Sequence, residues 1–355
     1  PDQLEKRVNR SSNTIIRGRE TMKSVVVQSG QLYIKEVPLP EIKRNFLLVK
    51  TDYSAISPGT ELLMIHRSRE LVNPLRIGYS ATGLVTEVGE GVTHLNVGDR
   101  VACYGGPYVH HAEYLLVPKH LAVPVPSHVN PKEAALVGLG AIAIHALRQA
   151  DLRFGEHVVV IGLGVLGQIV AQIAHAAAFN VIAYDLLDER RHILEDIGIR
   201  TVCHSMDEIG VTVNKQTDGT GVDSVLLCAK GKKTGLIDQA LKWIRDRGNV
   251  VIVGDLEIEL SRELMFKKEA QLLISRAGGP GRYDTAYERE GNPYPIGFIR
   301  WTERNNMAEY IRLLSEGRLN IAPIITETVP IREVNRVYRS FVENPEKTLG
   351  VLIEY

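Results

Sequence analysis

The chain has 355 residues, and its 42 Lys plus Arg balance 42 Asp plus Glu, so the formal net charge is zero. That balance argues against a general polyanion binder, whose affinity rests on a cationic surface. A content of 44% hydrophobic and 24% charged residues is that of an ordinary folded protein, and the length predicts two domains.

No apolar run reaches the ~18 residues that cross a bilayer. The polar start PDQLEKRVNRSS is unlike a signal peptide. The expectation is a cytoplasmic protein with no nucleic-acid or membrane partner. Cys103, Cys203 and Cys228 are far apart and form no CxxC, so they read as reduced, mostly buried thiols.

Residues 1–21 carry Arg7, Arg10, Arg17 and Arg19 and read as an N-terminal extension, either a tail or an arm on a partner subunit. From Met22 to about Ala143 short β-branched runs (KSVVVQ, LYIKEVPLP, FLLVKTDYSAI, ATGLVTEVGEGV, AEYLLVPKHLAVPVP) are punctuated by Gly and Pro, which predicts a compact barrel. From about Leu152 the period changes. HVVVIGL and NVIAYD read as buried strands, and VLGQIVAQIAHAAAF and DERRHILEDIG as helices. RTVCH, DSVLLCA, the helix LIDQALKWIRD, NVVIVGD and AQLLISR continue the alternation, which implies βαβ units and a parallel sheet. A Gly-, Pro- and Tyr-rich stretch follows Arg276, then a helix near NMAEYIRLLSEG. The final strand, helix and strand are expected to return to the first domain.

Gly162-Leu163-Gly164-Val165-Leu166-Gly167 is a GxGxxG that follows a predicted strand and opens a predicted helix. That context marks a dinucleotide turn. Gly162 permits the tight turn, Gly164 lets the backbone approach a pyrophosphate, and Gly167 lets helix and strand pack closely. The helix N-terminus, beginning at Val165 and Leu166, then faces the anion. Asp185 ends the second strand, where a carboxylate accepts from ribose hydroxyls and repels a 2′-phosphate, favouring NAD over NADP. Arg190 and Arg191 read chiefly as a solvated helix face, with Arg190 kept among the candidate cofactor contacts.

The segments GLVTEVGEGVTHLNVGDRV, AEYLLVP, EAALVGLGAIAIHAL and VVVIGLGVLG together resemble the medium-chain dehydrogenase/reductase superfamily over roughly Met22 to Tyr355. The resemblance implies an α/β protein: a GroES-like β-barrel catalytic domain over 22–145 and 301–355, and a Rossmann doubly wound parallel sheet over 146–300. Zinc-dependent members carry a Cys in a C-G-T-D-like turn, a G-H-E motif and a third ligand before an A-x-H-A helix. Here the corresponding positions are Ser57-Pro58-Gly59-Thr60-Glu61, Gly78-Tyr79-Ser80 and the neighbourhood of Gly138. None supplies a ligand, and the four-Cys structural lobe after GDRV is missing, so the expectation is a zinc-free member with no metal site. His66, His110 and His111 were weighed as replacement ligands and set aside, because adjacent strand residues point to opposite faces. YSAISPGTE, GPGRYDTAYEREG and YPIGFIRWTE are most similar to a zinc-free subgroup found alone or fused to a sugar-type oxidoreductase domain. Dehydrogenases of a bacteriochlorophyll side-chain alcohol are a weaker likeness.

This resemblance implies oxidation of a secondary alcohol of a sugar, cyclitol or similar polar metabolite to a ketone, or the reverse, with NAD as cofactor. Thr60 falls at a relay-hydroxyl position and Tyr79 at a ligand position, so these two are the first candidates at the reacting oxygen. Ser57 and Glu61 are further catalytic candidates, with Glu61 as a base or the partner of an Arg. Tyrosine acts as a base only beside a cation, for which the sequence offers His66 and Lys347. Ser80, Arg282 and Tyr283 are the substrate-binding candidates, with Tyr287 and Tyr294 suited to stacking on a sugar. Rival readings are an NADPH-dependent quinone or enoyl reductase, a redox-neutral epimerase or lyase that retains NAD, and a non-catalytic NAD(H)-binding protein. The superfamily commonly dimerises through its sixth strand, so QLLISR implies a homodimer.

Overall fold

The computed structural model describes residues 20–231, 235–344 and 348–355. The expected extension lies almost wholly outside them, as does Lys347.

Eight strands fill the first part: Thr21–Gln28 (β1), Gln31–Pro38 (β2), Phe46–Ala55 (β3), Leu75–Arg76 (β4), Ser80–Val88 (β5), Arg100–Tyr104 (β6), Tyr114–Pro118 (β7) and Ala122–Pro124 (β8). β3, β5, β6 and β8 pair antiparallel in that order, and β7 closes onto the other edge of β3. β1, β2 and β4 form a small separate sheet. Short strands and tight Gly turns wrap this part around a core that includes Leu47, Leu48, Val101 and Leu115, all essentially inaccessible.

His157–Ile161 (β9), Asn180–Tyr184 (β10), Val202–Cys203 (β11), Val222–Leu227 (β12), Ile244–Ile252 (β13) and Gln271–Ile274 (β14) form one parallel sheet in the order β11-β10-β9-β12-β13-β14. Its central strand β9 reads as an apolar run because helices cover both faces; Val158, Val159 and Val160 are fully buried. The chain direction of the winding reverses between β9 and β12. Ligands of such sheets bind at that switch point, beyond the carboxyl ends of the strands.

Ile325–Pro330 (β15) and Gly350–Glu354 (β16) return to the barrel, where β16 pairs antiparallel with β3. Two helices join the halves. Val137–Gln149 leaves the barrel, and Glu303–Ser315 packs against it. The contact is close because Gly140 has no side chain: a Cβ there would overlap the ring of Tyr310. Cys103, Cys203 and Cys228 are free thiols, the first two buried. No helix among the described residues is long and apolar enough to cross a membrane.

Candidate functional site

The dinucleotide turn is built by three glycines with three different environments. Gly162 has φ +91°, a left-handed conformation that favours glycine, and a Cβ there would lie 2.7 Å from the backbone nitrogen of Ala229. A Cβ on Gly167 would overlap the carbonyl oxygen of Gly162, so the helix sits directly on the turn. Gly164, the N-cap of helix Val165–Ala176, faces open space with nothing within 4 Å of a would-be Cβ. That open approach, in front of the free N–H groups at Val165 and Leu166, fits a pyrophosphate.

Asp185 is buried at the end of β10. Its Oδ2 accepts from the N–H of Leu163 at 2.6 Å and its Oδ1 from that of Leu187 at 2.9 Å. The carboxylate therefore ties the second strand to the glycine turn, and each oxygen keeps a lone pair for a further donor. Arg190 Nη1 stands 3.7 Å from Asp185 Oδ2. Arg191 departs from the expected solvated face. It is buried, donating to the Asp185 carbonyl and pairing with Asp188.

On the barrel side the helix Pro58–Arg67 starts with Ser57 as N-cap and Pro58 in the first turn, where the missing N–H is harmless. Gly78, at φ +95°, passes over the His111 ring, which a Cβ would meet at 2.8 Å. This brings Tyr79 over the helix start, where its hydroxyl donates to Ser57 Oγ at 2.7 Å. The exposed Thr60 hydroxyl also bonds this phenol. Tyr79 has its pKa raised, first by burial and then by the charge of Glu61, against the lowering by Ser57 and Thr60. It is a hydrogen-bond donor and not a base.

Beside it stands Tyr104, which the sequence reading missed. Its ring meets that of Tyr79 edge-on at 5.9 Å. It is wedged between two glycines: a Cβ on Gly138 would lie 2.7 Å from its Cδ2, and one on Gly278 2.6 Å from its Cε1. Burial also raises the Tyr104 pKa, against the lowering charge of Arg282. Tyr283 is 57% exposed at the same cleft, close enough to add to the shift of both Tyr79 and Tyr104. The Arg276 and Arg282 guanidinium carbons lie 4.6 and 4.1 Å from its ring centre.

The remaining candidates are placed differently. Glu61 is fully buried and faces away from the cleft, which corrects the reading of it as a base. Its Oε1 accepts from the Ser57 N–H at 2.7 Å. Its Oε2 accepts from His111 Nε2 at 3.0 Å and from the Tyr338 hydroxyl. Ser54 Oγ then donates to His111 Nδ1 and receives the Tyr355 hydroxyl, each at 2.7 Å. Ser80 is also no substrate contact. It is 1% exposed, with Oγ donating to Ala135 O at 2.6 Å and accepting from Gly138 N at 2.8 Å. Arg282 is not free for a substrate anion either: its guanidinium pairs with Glu288 and donates to Gly106 O, and only 7% of the side chain is exposed. A long side chain on a Gly-rich loop finds a buried carboxylate six residues on, which local sequence does not reveal. Tyr287 is buried and stacks on Tyr294 at 5.1 Å, and the Tyr294 hydroxyl donates to Asp284, so neither offers a face to the cleft. His66 is exposed on its helix.

A β-barrel joined to a Rossmann sheet with a glycine turn suited to a dinucleotide is an architecture used by nucleotide-dependent oxidoreductases. The comparisons narrow that class. Residues 43–127 match the alcohol dehydrogenase GroES-like domain and residues 165–289 the zinc-binding dehydrogenase domain. The chain is 30% identical to an alcohol dehydrogenase of Geobacillus stearothermophilus over 335 residues, 84% of this chain and 97% of the relative. It is 24% identical to a sorbitol dehydrogenase of Halalkalibacterium halodurans over 345 residues, 88% of this chain and 93% of the relative. Galactitol-1-phosphate dehydrogenase of Escherichia coli shares the fold with a TM-score of 0.77 at 21% identity, covering 94% of this chain and 100% of that one. The chain belongs to the medium-chain dehydrogenase/reductase superfamily.

Zinc chemistry in this superfamily needs thiolate, imidazole or carboxylate ligands. At the corresponding places this chain presents the Ser57 hydroxyl, the Tyr79 phenol and the Tyr104 ring lying against Gly138. Among the described residues no three His, Cys, Asp or Glu side chains gather as a metal site. The donor set does not fit zinc.

Proposed function

We propose that this protein is a zinc-independent, NAD-preferring dehydrogenase that interconverts a secondary alcohol of a sugar, cyclitol or similar polar metabolite with its ketone. The observation that carries the reading is the Tyr79–Ser57 hydrogen bond at 2.7 Å, standing beside the cleft where a metal would otherwise polarise the reacting oxygen. A nicotinamide dinucleotide held by Gly162, Gly164, Gly167 and Asp185 supplies the hydride acceptor. The chain's own residues supply the rest. Neutral phenols at Tyr79, whose single proton turns from Ser57 Oγ to the substrate, and at Tyr104 donate hydrogen bonds to the oxygen as negative charge develops on it. The exposed Thr60 hydroxyl, bonded to Tyr79, gives the proton a route to solvent through hydroxyl groups. Tyr283, half in solvent on a Gly-flanked loop, offers a face for a polyhydroxylated substrate. The preference for NAD rests on Asp185, whose charge opposes a 2′-phosphate. The sorbitol and galactitol-phosphate enzymes among the similar proteins support a polyol substrate. The free edge of β14 supports a homodimer formed strand to strand.

The test is NADH formation from a panel of polyols, cyclitols and their phosphates, with NAD and NADP compared, before and after EDTA dialysis with metal analysis. Activity with NAD that survives metal removal supports the proposal. Activity lost with the metal and restored by zinc overturns the metal-free part. Turnover only of enones or quinones with NADPH overturns the substrate and cofactor together.

A further inference from the structure

A cavity of about 250 Å3 opens where the barrel meets residues 291–304, the first part of the segment that leaves β14 and returns to the barrel. None of Ser57, Thr60, Tyr79 or Tyr104 lines it. His94, Lys119 and His120 reach it from the barrel, and Gly291, Pro293 and Arg304 from the returning segment. Every ionisable side chain on its wall is basic, and no carboxylate lines it.

The charges there are left unbalanced by the fold. Lys119 Nζ donates to neutral oxygens alone, Asn45 Oδ1 and Gly91 O, each at 3.2 Å. Gly291, at φ +73°, sits so close that a Cβ would lie 2.5 Å from Lys119 Cε. Arg304 Nε and His94 Nε2 are buried without hydrogen-bond partners. Of the nearby carboxyl groups, Glu90 faces Arg44 and Glu290 accepts from Asn292, and neither lines the cavity. Glu288 is paired with Arg282. Glu303 is pushed up to about 9, mainly by burial, and so keeps its proton. Nor is the start of helix Glu303–Ser315 the attraction. Its first N–H groups are engaged by Pro280 O, the Tyr287 phenol and Thr302 Oγ1.

The two histidines record the same imbalance. Burial pushes both below their ordinary value, and the charges of Arg304 and Lys119 push further; His120 falls to about 4. At neutral pH the wall therefore carries two positive charges, Lys119 and Arg304, and two uncharged imidazoles. His120 Nδ1 donates to Tyr287 O at 3.0 Å, which leaves its Nε2 as an acceptor. Two cations with acceptors between them suit a tetrahedral dianion that still carries a proton, such as monohydrogen phosphate.

We propose that this cavity is a phosphate-binding site, separate from the dinucleotide turn, that fastens the returning segment to the barrel. Lys119 and Arg304 neutralise the anion from opposite sides, and His94 and His120 accept from its hydroxyl or take up a proton on binding. The occupant joins the loop that bears Gly291 and Pro293 to the strand end that bears Lys119. That loop continues back to Tyr283 at the cleft, so occupancy steadies a wall of the active site.

The dinucleotide turn also binds anions, so the experiment separates the two. Inorganic phosphate and glycerol 3-phosphate are titrated calorimetrically into the full chain saturated with NADH, using wild type, Lys119→Gln and Arg304→Gln. Removing either charge is expected to weaken binding on the order of tenfold or more, as for a charge-assisted hydrogen bond, with NADH affinity unchanged. Equal binding of both probes identifies free phosphate as the ligand, and binding of the ester alone identifies a phosphorylated metabolite. Crystals soaked in tungstate should show an anomalous peak between Lys119 and Arg304. The proposal is overturned if neither probe binds at millimolar concentration, if both variants bind as wild type does, or if tungstate occupies only the glycine turn. Failure of NADH to bind would instead overturn the proposed function, and the tungstate position would still decide this site.

Discussion

Glu303→Gln is expected to stabilise the protein, and the structure sets both the size and the pH dependence of the gain. Glu303 is 0% exposed, and neither carboxyl oxygen has a hydrogen-bond partner. Burial, with the Glu288 charge second and Arg282 opposing, raises its pKa from 4.5 to about 9. Between those values the unfolded chain releases a proton that the folded chain holds. The unfolded state then binds fewer protons, so stability falls as pH rises. The contribution is fully present below pH 4.5 and is lost progressively up to pH 9, by about 1.4 kcal/mol per pH unit. At pH 7 the deficit is about 3 kcal/mol. A neutral amide of the same shape removes it, while its own unpaired atoms cost much the same as those of the protonated acid. Urea unfolding at pH 5, 7 and 8.5 is the assay. The variant should match wild type near pH 5, exceed it by about 3 kcal/mol at pH 7 and by more at pH 8.5. A difference that does not change with pH, or a variant weaker than wild type at pH 7, would refute the reasoning.

Gly164→Ala and Gly167→Ala should separate binding from folding. The first adds a methyl group to open space and should leave the melting temperature within a degree or two while weakening NADH binding, read by fluorescence titration. The second overlaps the Gly162 carbonyl and should lower both. Tyr79→Phe should reduce kcat by about 10²–10³, as for the loss of one donor to a developing oxyanion, with NADH affinity preserved; a rise in KM with kcat unchanged would place Tyr79 in substrate binding. Asp185→Ala should narrow the NAD over NADP preference in kcat/KM, and an unchanged ratio would remove Asp185 from cofactor choice. Glu61→Gln places an amide against three donors, Ser57 N–H, His111 and Tyr338, and should cost about 1.5–3 kcal/mol of stability, as for lost hydrogen bonds to a carboxylate, measured by denaturant unfolding.

The fold was legible because its signals are local. A strand of HVVVI followed by GxGxxG and a small-residue helix states its own geometry, and β16 is an apolar run that needs a sheet edge to pair with. What sequence did not show is where polar side chains go once strands from distant segments meet. Arg282 was open between a substrate anion and a salt bridge, and sequence did not name the partner: Glu288, six residues on, with Gly106 O of the barrel as a second acceptor. Glu61 was open as a base or as the partner of an Arg. One residue beyond Thr60, about 100° round the helix, it points into the barrel interior, toward His111 and Tyr338 from two other segments. Tyr104 was missed although a signal existed: Gly138 and Gly278 both lack side chains, and a ring fills the space between them. Such complementarity is non-local and becomes visible only when the three segments are brought together.

The same residues explain how the cleft keeps its shape. Three segments meet there: the turn at Ser57, the segment at Tyr79 and the start of the helix at Val137. Here hydrogen bonds and packing join those three segments. Tyr79 to Ser57 joins the first two. Ser80, accepting from Gly138 N, joins the second to the third. Tyr104, edge-on to Tyr79 and against Gly138, fills the space between them. Behind the Ser57 turn a one-way chain runs from Tyr355 through Ser54 and His111 to Glu61, which grips the Ser57 N–H. Each donor in that chain has one acceptor, so the turn has a single satisfied arrangement and departures from it leave a buried polar group unpaired. Under the proposed function the Tyr79 phenol is thereby held in place before a substrate arrives, and only its proton turns from Ser57 to the reacting oxygen.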